Sequence, residues 1–172
     1  MLNRRHIRIK ILHILYGFYQ DQEGDSAKSR KALDHSVNKM HELYLLLLNM
    51  IAGLQGIAID RIETARKKHI PTQEDLHPNT KFVRNAPLRV LANSKNLQKA
   101  SEELGVSWSK NQELLRNMFR DLIEDDEYKN YMSSEERGFK HDRESLVRMF
   151  RKNLINQEPF QYMLEAFSGW TI

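Results

Sequence analysis

Sparse punctuation, abundant helix formers and apolar residues recurring at helical period predict an all-α fold for this 172-residue chain. The expected architecture is an irregular multi-helix bundle with a basic first helix and one very long central helix. Only 7 Gly and 4 Pro interrupt the chain, too few for a fold built on tight turns. No segment carries a convincing strand pattern. A chain of this length is expected to bury one substantial core, so residues 1–172 read as a single helical domain.

The elements follow in order. Asn3 to about Gln20 reads as the first helix: Ile7, Ile11, Ile14 and Phe18 share one side, and His6, Lys10, His13, Gly17 and Gln20 form a narrow polar stripe. Leu12, Leu15 and Tyr19 lie on the side that Arg4, Arg5 and Arg8 begin, so most of this helix is expected to be core, with the arginines projecting at its end. Residues 21–26 form a loop in which Asp25 or Ser26 caps the next helix. That helix is predicted to run from about Ala27 to Lys68, with a bend near Gly53 and Gly56. Arg66, Lys67, Lys68 and His69 suit its C-terminal end.

Pro71, Pro78 and Pro87 mark residues 70–93 as a connector with short helical turns at most. Ser94 caps a helix to about Leu104, closed by Gly105. Ser107 or Ser109 opens another to about Glu124, and a shorter piece covers 126–132. Asp142 to Asn156 is again helical, and Pro159 stands near the start of a last helix stopped by Gly169. Met118-Phe119-Arg120 recurs as Met149-Phe150-Arg151, and at the same offset Glu127, Tyr131 and Met132 match Glu158, Tyr162 and Met163. Two copies make no solenoid, but they imply two helical hairpins whose aromatics and methionines are core.

The chain has no Cys, which removes disulfides, thiolate metal sites and cysteine nucleophiles, and which fits a reducing cytoplasm. The first 20 residues imitate a targeting signal weakly: His13 breaks the apolar stretch, no small-residue cleavage site follows, and a transit peptide would be richer in serine. Leu43–Ile59 is apolar, but it contains Asn49 and Gln55 and lies close to Glu42 and Asp60. A buried central helix accounts for it better than a membrane span.

Catalytic constellations are missing: there is no HExxH helix, no phosphate-cradling glycine loop and no Gly-x-Ser-x-Gly elbow. No enzyme activity, cofactor or metal is therefore expected. His6 and His13 share a stripe but stand about 10 Å apart along a helix, too far to ligate one metal. Glu124-Asp125-Asp126-Glu127 lacks the alternating ligands and glycine of a calcium loop and reads as a helix start.

Charge placement is the remaining functional signal. The formal net charge of +4 resides in the first ten residues, where Arg4, Arg5, Arg8 and Lys10 precede any acid; beyond them, 23 cations balance 23 carboxylates. Clustered cations with no neighbouring carboxylates are what phosphate neutralisation requires. Arginine adds planar forks that grip phosphate and stack on bases. Arg4, Arg5, Arg8, Lys10 and His6 are the candidate RNA-binding residues, and three or four phosphate contacts with a single strand give a salt slope of about −2 to −3.

The opening MLNRRHIRIKILHILYGFY resembles the first helix of the NusB family of transcription antitermination factors, with Leu15-Tyr16 at its end and arginines at Arg4, Arg5 and Arg8. The segments HELYLLLLNMIAGL and RIETARKKHIPTQEDLHPNTKFVRN, with the MFR repeat, resemble the long form of that family found in Bacteroidetes. The resemblance implies a helical cytoplasmic protein that binds boxA-type RNA in ribosomal RNA leader transcripts, together with the ribosomal small-subunit protein NusE and the elongation complex. On this reading 3–20 is the family's first helix and 26–172 an inserted helical segment. The C-terminal core of the family, with most of its partner-binding surface, is not in this sequence, which reads as an N-terminal portion or a short homologue.

The competing expectation is a helical protein-interaction module without intrinsic RNA binding. A membrane-surface anchor is disfavoured, because apolar residues spread around most of the first helix rather than along one side.

Overall fold

A computed structural model describes residues 4–21, 25–154 and 161, and every described element is helical. The first helix, α1 (Arg4–Gln20), and the long helix, α2 (Ser26–Arg66), fall where the periodicity places them. The chain divides into two compact units, with the boundary inside α2 between Tyr44 and Leu45.

In the first unit, Asp25 opens α2 by accepting the Ala27 N–H at 2.8 Å. The Lys28 ammonium reaches Asp21 at 3.4 Å, and the Lys10 ammonium donates to the Ser36 hydroxyl of α2. No described residue of this unit is fully buried.

The second unit holds the core. Leu46, Met50, Leu54 and Ala58 recur every four residues along α2 and are all buried. The two amides that interrupt this apolar run are put to use: Asn49 donates to the Ser101 hydroxyl at 2.6 Å, and Gln55 donates to the Val83 carbonyl at 2.6 Å. By length and composition α2 could cross a bilayer, but a third of its most apolar window is buried within the protein. The helix is continuous through Gly53 and Gly56. Gly53 is instead a site of close approach, since a Cβ there would stand 2.7 Å from Leu115 Cδ2, whereas Gly56 faces open space.

The proline-marked stretch 70–93 is more than a connector. Thr72 and Asp75 form a reciprocal capping box for the single turn α3 (Gln73–Leu76). Asn85 then caps α4 (Ala86–Ala92), accepting from the Leu88 N–H at 3.2 Å, with Pro87 in the first turn, where its missing N–H costs nothing. Phe82, Asn85 and Leu88 are among the most buried residues of the chain. Prolines punctuate helices without preventing the residues between them from forming core.

Ser94 caps α5 (Lys95–Glu103) through the Leu97 N–H at 3.3 Å. Its end is a Schellman closure: Gly105 at φ +64 allows its own N–H to reach the Glu102 carbonyl and the Val106 N–H to reach that of Ser101. A 3₁₀ turn over Ser109–Asn111 leads into α6 (Gln112–Glu124), which buries Leu115, Met118, Phe119 and Leu122 at helical spacing. Asp125 caps α7 (Asp126–Ser133) by accepting the Glu127 N–H at 2.7 Å, the helix-start role expected of that acidic run.

The next helix, α8, spans Phe139–Met149 and so begins three residues before the expected Asp142. Gly138 at φ +121 makes the sharp entry, and Asp142 lies inside the first turn. A π-helical turn over Phe150–Leu154 follows. Met118, Phe119 and Met149 are buried, so the first parts of both repeat copies are core; Glu158, Tyr162 and Met163, with the last helix expected after Pro159, lie outside the described residues.

Phe82, Phe119 and Tyr128 form an aromatic cluster with centroids 5.3–6.5 Å apart. Burial pushes the Tyr128 phenol up to about 12. Beside it, Asn85 Nδ2 donates to the Tyr131 hydroxyl at 3.1 Å, and that hydroxyl donates to Asp142 Oδ1 at 2.9 Å. Asp142 Oδ2 accepts the Ala86 N–H at 3.0 Å, joining α4, α7 and α8.

The contrast between the two glycines of α2 is measurable. Gly56→Ala stabilises the protein by about 0.5–1 kcal/mol through helix propensity. Gly53→Ala forfeits that gain against Leu115 and melts below Gly56→Ala in chemical denaturation. At the capping box, the Thr72 N–H first, then the Lys68 ammonium, hold the Asp75 carboxyl below its ordinary 3.8. Because the folded-state value is the lower one, this contribution to stability is present at neutral pH and is lost as acid protonates Asp75. In a side-chain NMR titration the Asp75 midpoint falls below 3.8, and Lys68→Ala moves it upward.

Candidate nucleic-acid interface

The cations of α1 do not all share one side. At 100° per residue, Arg4, Arg8 and Arg5 fall within an arc of roughly 100°. Leu15, Tyr19, Leu12 and Tyr16 continue the same strip into the later turns. All three arginines are exposed, and no acid stands in the first turn. Arg4 and Arg8 form no ion pair with any described residue.

Lys10 is placed differently. It is half-buried on the side that faces α2, where its ammonium donates to Ser36, and burial lowers its pKa from the ordinary lysine value. This geometry sets Lys10 apart from the arginine strip and makes it a clasp between two helices. The side chain of His6 lies outside the described residues.

The expectation that most of α1 is core is corrected by the structure. Leu12 and Tyr16 are each 65% exposed, Tyr19 is 82% exposed and Leu15 is 46% exposed. Among the described side chains of α1, only Ile7, Ile9, Lys10, Ile14 and Phe18 are partly covered. The Gln20 amide donates to the Tyr16 hydroxyl at 2.7 Å, and the Phe18 and Tyr19 rings meet edge-to-face at 5.7 Å. Four large apolar side chains therefore stand in solvent directly after three arginines. The helical wheel already places these seven residues together; what it cannot supply is which side another helix covers, because Ile11, Ile14 and Phe18 make the adjoining side equally apolar.

Chemically, this strip offers planar cations for phosphates at one end and aromatic faces at the other. That pairing matches single-strand binding surfaces, in which phosphates meet cations and bases stack on rings. It also matches a protein-docking helix, whose energy resides in large apolar and aromatic anchors.

No protein-family model matches this chain, no curated protein matches it, and no solved structure matches it.

If the strip is a working surface and not core, polar substitutions along it leave the fold intact. Leu12→Ser with Leu15→Ser changes unfolding free energy by less than about 0.5 kcal/mol per residue. Leu54→Ala, at a site with no exposure, costs about 2–5 kcal/mol. Urea denaturation of the three variants separates the two behaviours.

Proposed function

We propose that this chain is an RNA-binding transcription antitermination factor of the NusB type. It acts in the cytoplasm, without catalysis, on boxA-type single-stranded RNA of ribosomal RNA leaders, with the ribosomal protein NusE as partner in the elongation complex. The observation that carries the reading is the exposed arginine cluster at the start of α1, whose first turn holds no acid, continued by Tyr16 and Tyr19. Arg4, Arg5 and Arg8 contact phosphates, while the tyrosines supply stacking worth about 1–3 kcal/mol per base. A grip of three cations is modest, which agrees with a factor that needs a protein partner for tight binding.

One observation favours a second reading. Leu12 and Leu15 offer nothing to a phosphate, yet both are exposed beside the tyrosines. On this reading α1 docks a partner protein through Leu12, Leu15, Tyr16 and Tyr19, and the arginines steer an acidic surface.

Titration of labelled boxA-like RNA at several salt concentrations separates the two. Wild-type protein binds with a slope of about −2 to −3, and the triple variant Arg4→Ala, Arg5→Ala, Arg8→Ala loses at least tenfold in affinity and most of the slope. Equal indifference of both proteins to RNA removes the antitermination reading and leaves the docking helix. Sedimentation of the chain with anionic vesicles, abolished by the same triple variant, places α1 at a lipid surface instead.

A further inference from the structure

A second cationic site lies in the other unit, built from residues that the RNA reading does not use. A cleft of about 290 Å³ is lined by Thr80, Lys81, Arg84, Tyr131, Arg137 and Asp142, with Gly138 at its edge. Lys81 is 8% exposed, so this is a buried ammonium. It donates to the Ser134 carbonyl at 2.6 Å and stands 4.5 Å over the Tyr131 ring. Those partners hold the ammonium in place without neutralising it. Arg84 and Arg137 are exposed. None of the three cations forms an ion pair with a described residue.

The nearby carboxylates are already engaged. Asp142 accepts from Tyr131 and from the Ala86 N–H, and Glu136 stands 2.8 Å from His141 Nδ1. Three cations face two carboxylates, Asp142 in the lining and Glu136 beside it, so positive charge is in excess in the cleft. Gly138, at φ +121, begins α8 with no side-chain cap, so the positive end of that helix dipole opens at the same place. Burial lowers the Lys81 pKa and Arg137 adds to it, while Asp142 and Glu136 oppose the shift.

We propose that this cleft binds the dianionic phosphate of a phosphate monoester, with Lys81, Arg84 and Arg137 as its ligands and the α8 N-terminus beneath it. Three cationic donors match the three terminal oxygens of a monoester better than the two of a backbone diester. The volume lies just below the roughly 300–1,000 Å³ typical of ligand sites, which fits a phosphate bearing a small group and no more.

The test is titration of the full chain with inorganic phosphate in low-chloride buffer, followed by calorimetry and by the backbone amide signals of Gly138 and Phe139. Saturable one-to-one binding with Kd of about 1 mM or tighter is expected, together with shifts of those amides. Arg84→Gln with Arg137→Gln, both exposed and so harmless to folding, weakens binding at least tenfold; Lys99→Gln on α5 leaves it unchanged. No saturation by about 10 mM, or undiminished binding by the double variant, overturns the proposal. Glycerol 3-phosphate and 5′-phosphorylated and 5′-hydroxyl oligonucleotides then identify the source. Tighter binding of glycerol 3-phosphate assigns a soluble ester, and preference for the 5′-phosphorylated strand assigns a nucleic-acid end. Equal binding of the two oligonucleotides means that diesters are read, and it refutes the monoester assignment.

Discussion

Satisfying one buried amide organises much of the second unit. Asn85 is 1% exposed, and an unpaired amide at that depth costs on the order of 1–3 kcal/mol. Its oxygen closes the first turn of α4, while its nitrogen reaches the Tyr131 hydroxyl and the Asp142 backbone carbonyl. Three helices are thereby referenced to a single side chain. Phe82 and Leu88, three residues to either side, are carried into the core by the same anchoring. Tyr131 in turn presents its ring to Lys81, so the buried ammonium depends on the network for its position.

The two units treat their polar groups in opposite ways. In the second, nearly every buried donor is consumed: Asn49, Gln55 and the Trp108 indole, which donates to the Leu46 carbonyl at 2.8 Å, all bond inside it. Such bonds specify one arrangement of helices, since any slip leaves a polar atom unpaired. In the first unit Lys10 is half-buried and bonded to a neighbouring helix, whereas Arg4, Arg5 and Arg8 are exposed. Guanidinium groups keep their charge under all physiological conditions, whereas an ammonium gives up its proton more readily when desolvated. The division of labour between Arg4, Arg5 and Arg8 outside and Lys10 inside follows that chemistry.

Local rules made most of the helix boundaries legible in advance. Ser94, Gly105 and Asp125 act as the caps or stops their side chains or backbone freedom imply, and α1 and α2 begin and end within a few residues of expectation. Long-range facts were not legible. Three prolines made 70–93 look like a tether, yet Phe82 and Leu88 belong to the core, because burial is decided by what lies across from a residue. The entry to α8 was hidden because Gly138 carries no capping side chain. At α1 the three arginines and the apolar strip were visible, but a second apolar strip adjoining it left the covered one undetermined. Lys81, Arg84 and Arg137 are more than fifty residues apart at the extremes, and no local spacing announces their meeting.

The exposed strip of α1 also governs how the protein behaves in bulk solution. Near neutral pH and low ionic strength, the arginines of different molecules repel, and that repulsion keeps Leu12, Tyr16 and Tyr19 of neighbouring molecules apart. Added electrolyte shortens the Debye length to a few ångströms while leaving apolar attraction intact, and sulfate or phosphate strengthens it. Colloidal stability should then decline as salt rises, the reverse of an ordinary salting-in curve. Dilute, low-salt buffers are thus the medium in which this surface stays monomeric and available.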